Sequence, residues 1–194
     1  MKKINRIKSL MSKHSFTSAD ARKLGVHSSV LHYYVKKGII ERIDRGVYRN
    51  PNYESGAPFQ WEDLIQTILS IKNGVICLIS ALAYWELTEE IPRQFWIAVP
   101  NQSKAPVRKN VKIIRMRNFK LGTIKVKVGN ATIYIYNRER TIIDAFRLLD
   151  KEVAVKALKF YLNSKKYKPD INKLIAYGKK LRIDINPYIL AITT

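Results

Sequence analysis

Phe16-Thr17-Ser18-Ala19-Asp20-Ala21-Arg22-Lys23-Leu24-Gly25-Val26 is the stretch whose reading decides the fold. It reads as a helix that ends in a glycine-containing turn. Thr17, with Asp20 three residues on, makes an N-cap pair, and Phe16 stands just before it. Ser28 to Lys37 follows as a second helix, with Ser28 as its N-cap and Gly38 closing it. Ile39-Ile40-Glu41-Arg42-Ile43, then Asp44-Arg45-Gly46, then Val47-Tyr48-Arg49 read as strand, tight turn and strand. Upstream, Ile4, Ile7, Leu10 and Met11 recur at helical spacing and predict a first helix over residues 2–12. The sum is a winged helix-turn-helix over residues 1–52, a helix pair able to enter a major groove with a basic hairpin behind it.

Within the second helix of the pair, Leu31, Tyr34 and Val35 fall on the side expected to face the core. Ser29, His32, Tyr33 and Lys36 fall on the other side. The candidate DNA contacts are therefore Ser28, Ser29, His32, Tyr33, Lys36 and Lys37 on the helix, with Arg42 and Arg45 on the wing. Side chains that donate and accept hydrogen bonds on an exposed stripe suit base edges and phosphates. An Arg at a tight turn, here Arg45 with Arg42 and Arg49 nearby, reaches a phosphate or a narrow minor groove. Gly46 is expected to supply a positive φ at that turn. The competing reading is an ordinary solvated helix face and a plain hairpin turn. Metal binding through His32 is not expected, because His14 and His27 lack metal-site spacing and Cys77 is far along the chain.

Asn50-Pro51-Asn52 and Ser55-Gly56-Ala57-Pro58 are dense in breakers and mark a domain boundary, with a second domain over residues 59–194. There, Trp61 to Ile71 reads as an amphipathic helix, and Ile79 to Leu87 as a helix apolar on most faces. Strands are expected at Phe95–Val99, Val111–Arg115, Thr123–Val128 and Thr132–Tyr136, the last two separated by Gly129-Asn130. Helices resume at Glu139–Leu149, Val153–Leu162 and Ile171–Leu181. The expected class is α+β: the winged helix, then a mixed α/β domain with an antiparallel sheet and C-terminal helices.

The chain has 194 residues, 36 Lys and Arg against 15 Asp and Glu, and a net charge of +21. An excess this large favours a polyanionic partner. It is not confined to the first fifty residues. From Ile91 to Arg138 there is no Asp or Glu, whereas Arg93, Lys104, Arg108, Lys109, Lys112, Arg115, Arg117, Lys120, Lys125, Lys127 and Arg138 all fall there. A face built only for solubility mixes signs. Lys112, Arg115, Arg117, Lys125, Lys127 and Arg138 are therefore candidates for a second basic surface, against the plainer reading of a solvated sheet face. Cys77, the single cysteine, sits in an apolar run and reads as a small buried hydrophobe, in keeping with a cytoplasmic protein. No stretch has the length of a membrane span, and no apolar leader is read at the N-terminus.

The chain resembles the antitoxins of the AbiE abortive-infection system, type IV toxin–antitoxin proteins of the AbiEi kind. The resemblance rests on Gly38-Ile39-Ile40-Glu41-Arg42-Ile43, Arg45-Gly46-Val47-Tyr48, Ser80-Ala81-Leu82-Ala83-Tyr84-Trp85-Glu86-Leu87-Thr88, Ile91-Pro92 through Trp96-Ile97-Ala98-Val99-Pro100, and Glu139-Arg140-Thr141-Ile142-Ile143-Asp144, in that order. It implies a winged helix that represses its own operon, and a C-terminal domain that counteracts a cognate nucleotidyltransferase-like toxin without a stable complex. It places the protein in phage defence.

The residues themselves argue for a binding protein. Glu139-Arg140-Thr141 with Asp144 opens a helix, with Thr141 and Asp144 at capping spacing and Arg140 and Asp144 placed to form an ion pair. A structural role is the simpler reading. A metal-dependent nuclease needs converging carboxylates, and the strands carry Lys and Arg instead. No phosphate loop, dinucleotide glycine fingerprint, serine elbow or zinc-protease helix is present. No cofactor, metal or catalytic residue is expected. The expected partners are duplex DNA, namely an operator with inverted repeats, and the toxin, with RNA as a further candidate and no membrane. Two alternatives stand beside this: a nuclease or nucleotidyltransferase targeted by the winged helix, and a module that sequesters the toxin by direct contact.

Overall fold

Thr17 adopts φ −98° and ψ 161°, the extended conformation that an N-cap requires. Extended backbone can also pair as strand, and here it does. In the computed structural model, which describes residues 2–13, 15–53, 56–103, 105 and 110–193, Phe16–Thr17 forms a short strand, β1. It lies between helix α1 (Lys2–Met11) and helix α2 (Ser18–Lys23). Helix α3 (Ser28–Lys36), β2 (Glu41–Asp44) and β3 (Val47–Arg49) follow. The three strands form an antiparallel sheet in the order β1-β3-β2. The helix, helix, hairpin order is the expected one, and β1 is an addition to it. His14, Ser55, Lys104, Arg108, Lys109 and the side chain of Ile4, all invoked above, lie outside the described residues.

The capping box foreseen at Thr17 and Asp20 is present. The Asp20 N–H donates to Thr17 Oγ1 at 3.2 Å, and the Thr17 N–H and hydroxyl donate to Asp20 Oδ2 at 3.0 and 2.7 Å. The expected cap at Ser28 is not. His27 occupies the N-cap without a side-chain bond, and Ser28 is the first helical residue. Gly38 (φ +67°) ends α3 as expected, with the Ile39 N–H returning to the Tyr34 carbonyl at 3.0 Å. The core is Ile7, Leu10, Phe16, Ala21, Val26, Leu31, Tyr34, Ile40 and Tyr48. Phe16 and Tyr48 are register partners whose rings stack at 5.8 Å.

The chain divides into two units, residues 1–72 with 126–133, and residues 73–125 with 134–194. This differs from the expected 1–52 and 59–194. The residues after the breakers stay with the first unit: a Cβ on Gly56 would lie 3.8 Å from Gly129 Cα and from Asn130 Nδ2. A 3-10 turn (Phe59–Trp61) leads into α4 (Glu62–Leu69), which buries Leu64, Ile65 and Ile68 and stops short of the expected Ile71.

The second sheet has the order β6-β5-β4-β8-β7, with β4 (Val75–Ile76), β5 (Phe95–Pro100), β6 (Val111–Met116), β7 (Thr123–Val128) and β8 (Ala131–Tyr136). It is mixed, which corrects the expected antiparallel sheet. β4 runs antiparallel to β5, but β4–β8 and β5–β6 are parallel. The central β4, with two residues, is too short to show an alternation, so its parallel pairing with β8 has no sequence signal, and the parallel β5–β6 pair joins two expected strands whose relative direction alternation does not report. The remaining elements are α5 (Leu78–Tyr84), α6 (Arg138–Leu148), α7 (Lys151–Leu162), α8 (Ile171–Leu181) and α9 (Asn186–Thr193), the last unforeseen. Ile79 and Leu82 of α5 join Ile142, Ile143, Phe146, Leu158 and Leu174 in one core. Burial pushes the Cys77 thiol well above its ordinary range, as suits an inert core residue.

Candidate nucleic-acid interface

The helix–hairpin unit sorts its residues as the periodicity requires. Leu31 and Tyr34 are buried and Val35 is half-buried, while Ser28, Ser29, His32, Tyr33, Lys36 and Lys37 are all exposed. One helix thus anchors by its apolar face and offers hydroxyls, an imidazole, a phenol and two ammonium groups on the other. Tyr33 is 54% exposed. Its ring lies 5.9 Å from the Lys37 ammonium, which restrains both side chains.

The wing is built around one glycine. Arg45-Gly46 is the turn between β2 and β3, and Gly46 has φ +72° as expected. The Gly46 carbonyl accepts from the Ser18 N–H at 2.8 Å, and a Cβ on Gly46 would come within 3.1 Å of Ser18 Oγ. The tip of the wing is therefore tied to the start of α2. The three arginines differ. Arg49 pairs with Glu41 at 2.8 Å across the hairpin, and Arg42 Nε donates to the Asp44 carbonyl at 3.2 Å. Arg45 is exposed at the tip, its backbone N–H donates to Asp44 Oδ1 at 2.6 Å, and its guanidinium has no partner among the described residues.

The second set of basic residues is placed differently from the way a linear reading groups it. Lys112 and Arg115 stand on β6, and Lys125 and Lys127 on β7, at opposite ends of the strand order. Lys112 and Arg115 are three residues apart on one strand, so the pleat sends them to opposite faces. The Lys112 ammonium sits 3.8 Å from the ring centre of Trp96, its neighbour on β5. On β7, Lys125 and Lys127 are exposed on one face as the alternation predicts. The other face is only partly covered: Val128 is buried, Val126 half-buried and Ile124 exposed.

Arg138 is half-buried and held between rings. Its guanidinium is stacked between Trp85 at 4.3 Å and Tyr167 at 4.1 Å, and its buried Nε has no hydrogen-bond partner among the described residues. Burial raises the Tyr167 and Tyr84 hydroxyls above their ordinary range, and the Arg138 charge opposes this at both. Arg117 joins Lys120 and Lys180 around a cavity instead. Lys180 lies on α8, and no spacing in the chain links it to Arg117.

The acidic helix motif is structural. Asn137, not Thr141, caps α6, its side chain accepting from the Arg140 N–H at 3.0 Å. The Thr141 hydroxyl instead donates to the Asn137 carbonyl at 2.9 Å. Asp144 binds Arg140 and Arg147, each at 2.7 Å. Glu139 accepts from Tyr161 Oη at 2.8 Å and pairs with Lys173 at 3.1 Å. Among the described residues no three His, Cys, Asp or Glu gather to hold a metal ion, and no helix is long and apolar enough to cross a membrane.

The first unit thus joins an antiparallel sheet to two successive helices and leaves the polar face of α3 exposed. Residues 5–51 match the family model described as "Transcriptional regulator, AbiEi antitoxin". The match agrees, over this domain, with the resemblance read from the sequence, and it is to regulators and antitoxins rather than to enzymes. Residues 52–194 lie outside it. No curated protein matches the chain.

Proposed function

We propose that the chain is a DNA-binding transcriptional autorepressor and the antitoxin of a type IV toxin–antitoxin system, acting in the cytoplasm against a nucleotidyltransferase-like toxin. Residues 1–52 are the winged helix-turn-helix. The observation that carries this reading is α3. It buries Leu31 and Tyr34 while exposing Ser28, Ser29, His32, Tyr33, Lys36 and Lys37, in a segment matching a regulator family. In that role Ser29 and His32 read base edges in the major groove, Lys36 and Lys37 meet phosphates, and Arg45 anchors the wing on the backbone or in the minor groove. Two copies on an inverted repeat fit a motif of this size. The basic residues of β6 and β7 add contacts to DNA or to RNA. Toxin neutralisation then proceeds without a stable complex between the two proteins.

The test is a titration of the purified chain on the DNA upstream of its own gene and on random duplex of equal length, at two salt concentrations. Preference for the upstream DNA that survives the higher salt supports autorepression. Equal binding to both that collapses with salt sinks it.

A further inference from the structure

Three cations line one cavity, and no carboxylate among the described residues pairs with them. In the second unit a cavity of about 620 Å³ is lined by Arg117, Lys120 and Lys180, with Pro100, Asn118 and Phe119 between them. All three basic side chains are exposed, and none forms an ion pair among the described residues. Like charges brought into one concave site repel unless an anion joins them. The C-terminus of α8 accounts for Lys180 by its dipole, but it does not account for Arg117 or Lys120.

The wall of this cavity is fixed from behind. Arg140 Nη1 donates to the carbonyls of Asn118 and Leu121, both at 2.8 Å. The Phe119 carbonyl accepts from Tyr136 Oη at 3.0 Å and from Thr123 Oγ1 at 2.9 Å. Gly122, at φ +73°, closes the loop so tightly that a Cβ there would lie 2.5 Å from the Arg140 Cβ. Three loop carbonyls that could repel an anion are thus engaged by buried or half-buried donors. What the loop offers outward is a guanidinium and an ammonium, and α8 adds a second ammonium.

We propose that this cavity binds a phosphomonoester group, as carried by a nucleotide or by the 5′-phosphorylated end of a nucleic-acid strand. Arg117 supplies the planar fork that matches phosphate oxygens, and Lys120 and Lys180 supply point charges. A phosphomonoester carries close to two negative charges, against one for an internal phosphate, and so suits three converging cations. The volume lies within the range of small-ligand sites. The site shares no residue with the α3 and wing set of the proposed DNA interface.

The experiment is calorimetric titration of the full chain with AMP, with a short single strand bearing a 5′-phosphate, and with the same strand ending in a 5′-hydroxyl. A triple variant, Arg117→Gln, Lys120→Gln and Lys180→Gln, is compared with a control that removes three exposed cations elsewhere, Lys159→Gln, Lys165→Gln and Lys168→Gln. The pocket variant is expected to lose affinity at least about tenfold, and the control to stay within about twofold. Binding of AMP and the phosphorylated strand supports a general phosphomonoester site, and binding of the phosphorylated strand alone supports a strand-end site. Equal loss in both triple variants overturns the proposal. So does a strand affinity indifferent to the 5′-phosphate together with no AMP binding. Arg45→Ala, which weakens duplex DNA binding on the reading above, leaves phosphomonoester binding unchanged, so the two proposals fail separately.

Discussion

Arg140 and Asp144 meet at 2.7 Å with neither side chain exposed to solvent. The pair spans one turn of α6 and reaches beyond it, since the same guanidinium holds the Asn118 and Leu121 carbonyls and stacks 4.5 Å from the ring centre of Tyr136. Burial drives the Tyr136 hydroxyl far above its ordinary range, while the Arg140 charge opposes this, so Tyr136 stays protonated and donates to Phe119. Removing one member of a buried pair strands the other. Asp144→Ala is expected to cost about 3–5 kcal/mol in urea unfolding, and Asp144→Leu combined with Arg140→Met less than either single change predicts. A loss under about 1 kcal/mol for Asp144→Ala would contradict this account.

Gly122 faces that same arginine. Gly122→Ala places a methyl against Arg140 Cβ in a backbone conformation that L-residues resist. The expected result is a drop of at least about 2 kcal/mol, read by thermal unfolding, well beyond the usual gain or loss for Gly→Ala in an exposed loop. Unchanged stability would mean that the loop has another seat.

The Thr17–Asp20 box sets a pH dependence. Burial opposes ionisation of Asp20, but the Thr17 N–H and hydroxyl, with the charges of Lys23 and Lys13, hold its carboxyl below the ordinary value of 3.8. A carboxyl whose folded value is depressed stabilises fully above the unfolded value, and that stability fades as pH falls through the folded one. Asp20→Ala should cost about 0.5–2 kcal/mol at neutral pH, and the difference from wild type should shrink as the pH falls below 3.8 and on through the depressed folded value. Urea titrations of both proteins across that range check it. A difference that grows with acid has the wrong sign.

The arginine at the wing tip and the polar face of α3 should separate in function. Arg45→Ala is expected to weaken binding to every duplex and to reduce the slope of log affinity against log salt by about one. Ser29→Ala or His32→Ala is expected to relax discrimination by about 1–3 kcal/mol at the bases they face. Gel-shift titrations on specific and random duplex, at several salt concentrations, distinguish the two. Identical losses on both DNAs from all three variants would remove the assignment of roles.

How much of this was legible beforehand depends on what each feature rests on. The α3 faces follow from a repeat of 3.6, so Leu31 and Tyr34 inward and His32 and Tyr33 outward could be read directly. The capping box at Thr17 and Asp20 is a local signal and was equally open. β1 and β4 were not, because two residues carry no period; their pairing is made by β3 and by β5 and β8. The parallel β4–β8 pair was hidden with β4, whereas the parallel β5–β6 pair joins two legible strands whose relative direction alternation does not report. Arg138 read as one more cation in an acid-free run, since nothing in the chain signals that Trp85 and Tyr167 will close on it. Lys180 joins Arg117 only through the packing of α8, a relation without a sequence signature.

The strands that carry Lys112, Arg115, Lys125 and Lys127 are the outermost two of their sheet. An outermost strand offers unpaired backbone groups to any strand that arrives, including one from a second molecule. Like charge along both margins makes that approach repulsive, so the same side chains act as gatekeepers against fibre-like growth. The guard is ionic and therefore conditional: salt that screens these charges weakens the repulsion between the margins of two molecules.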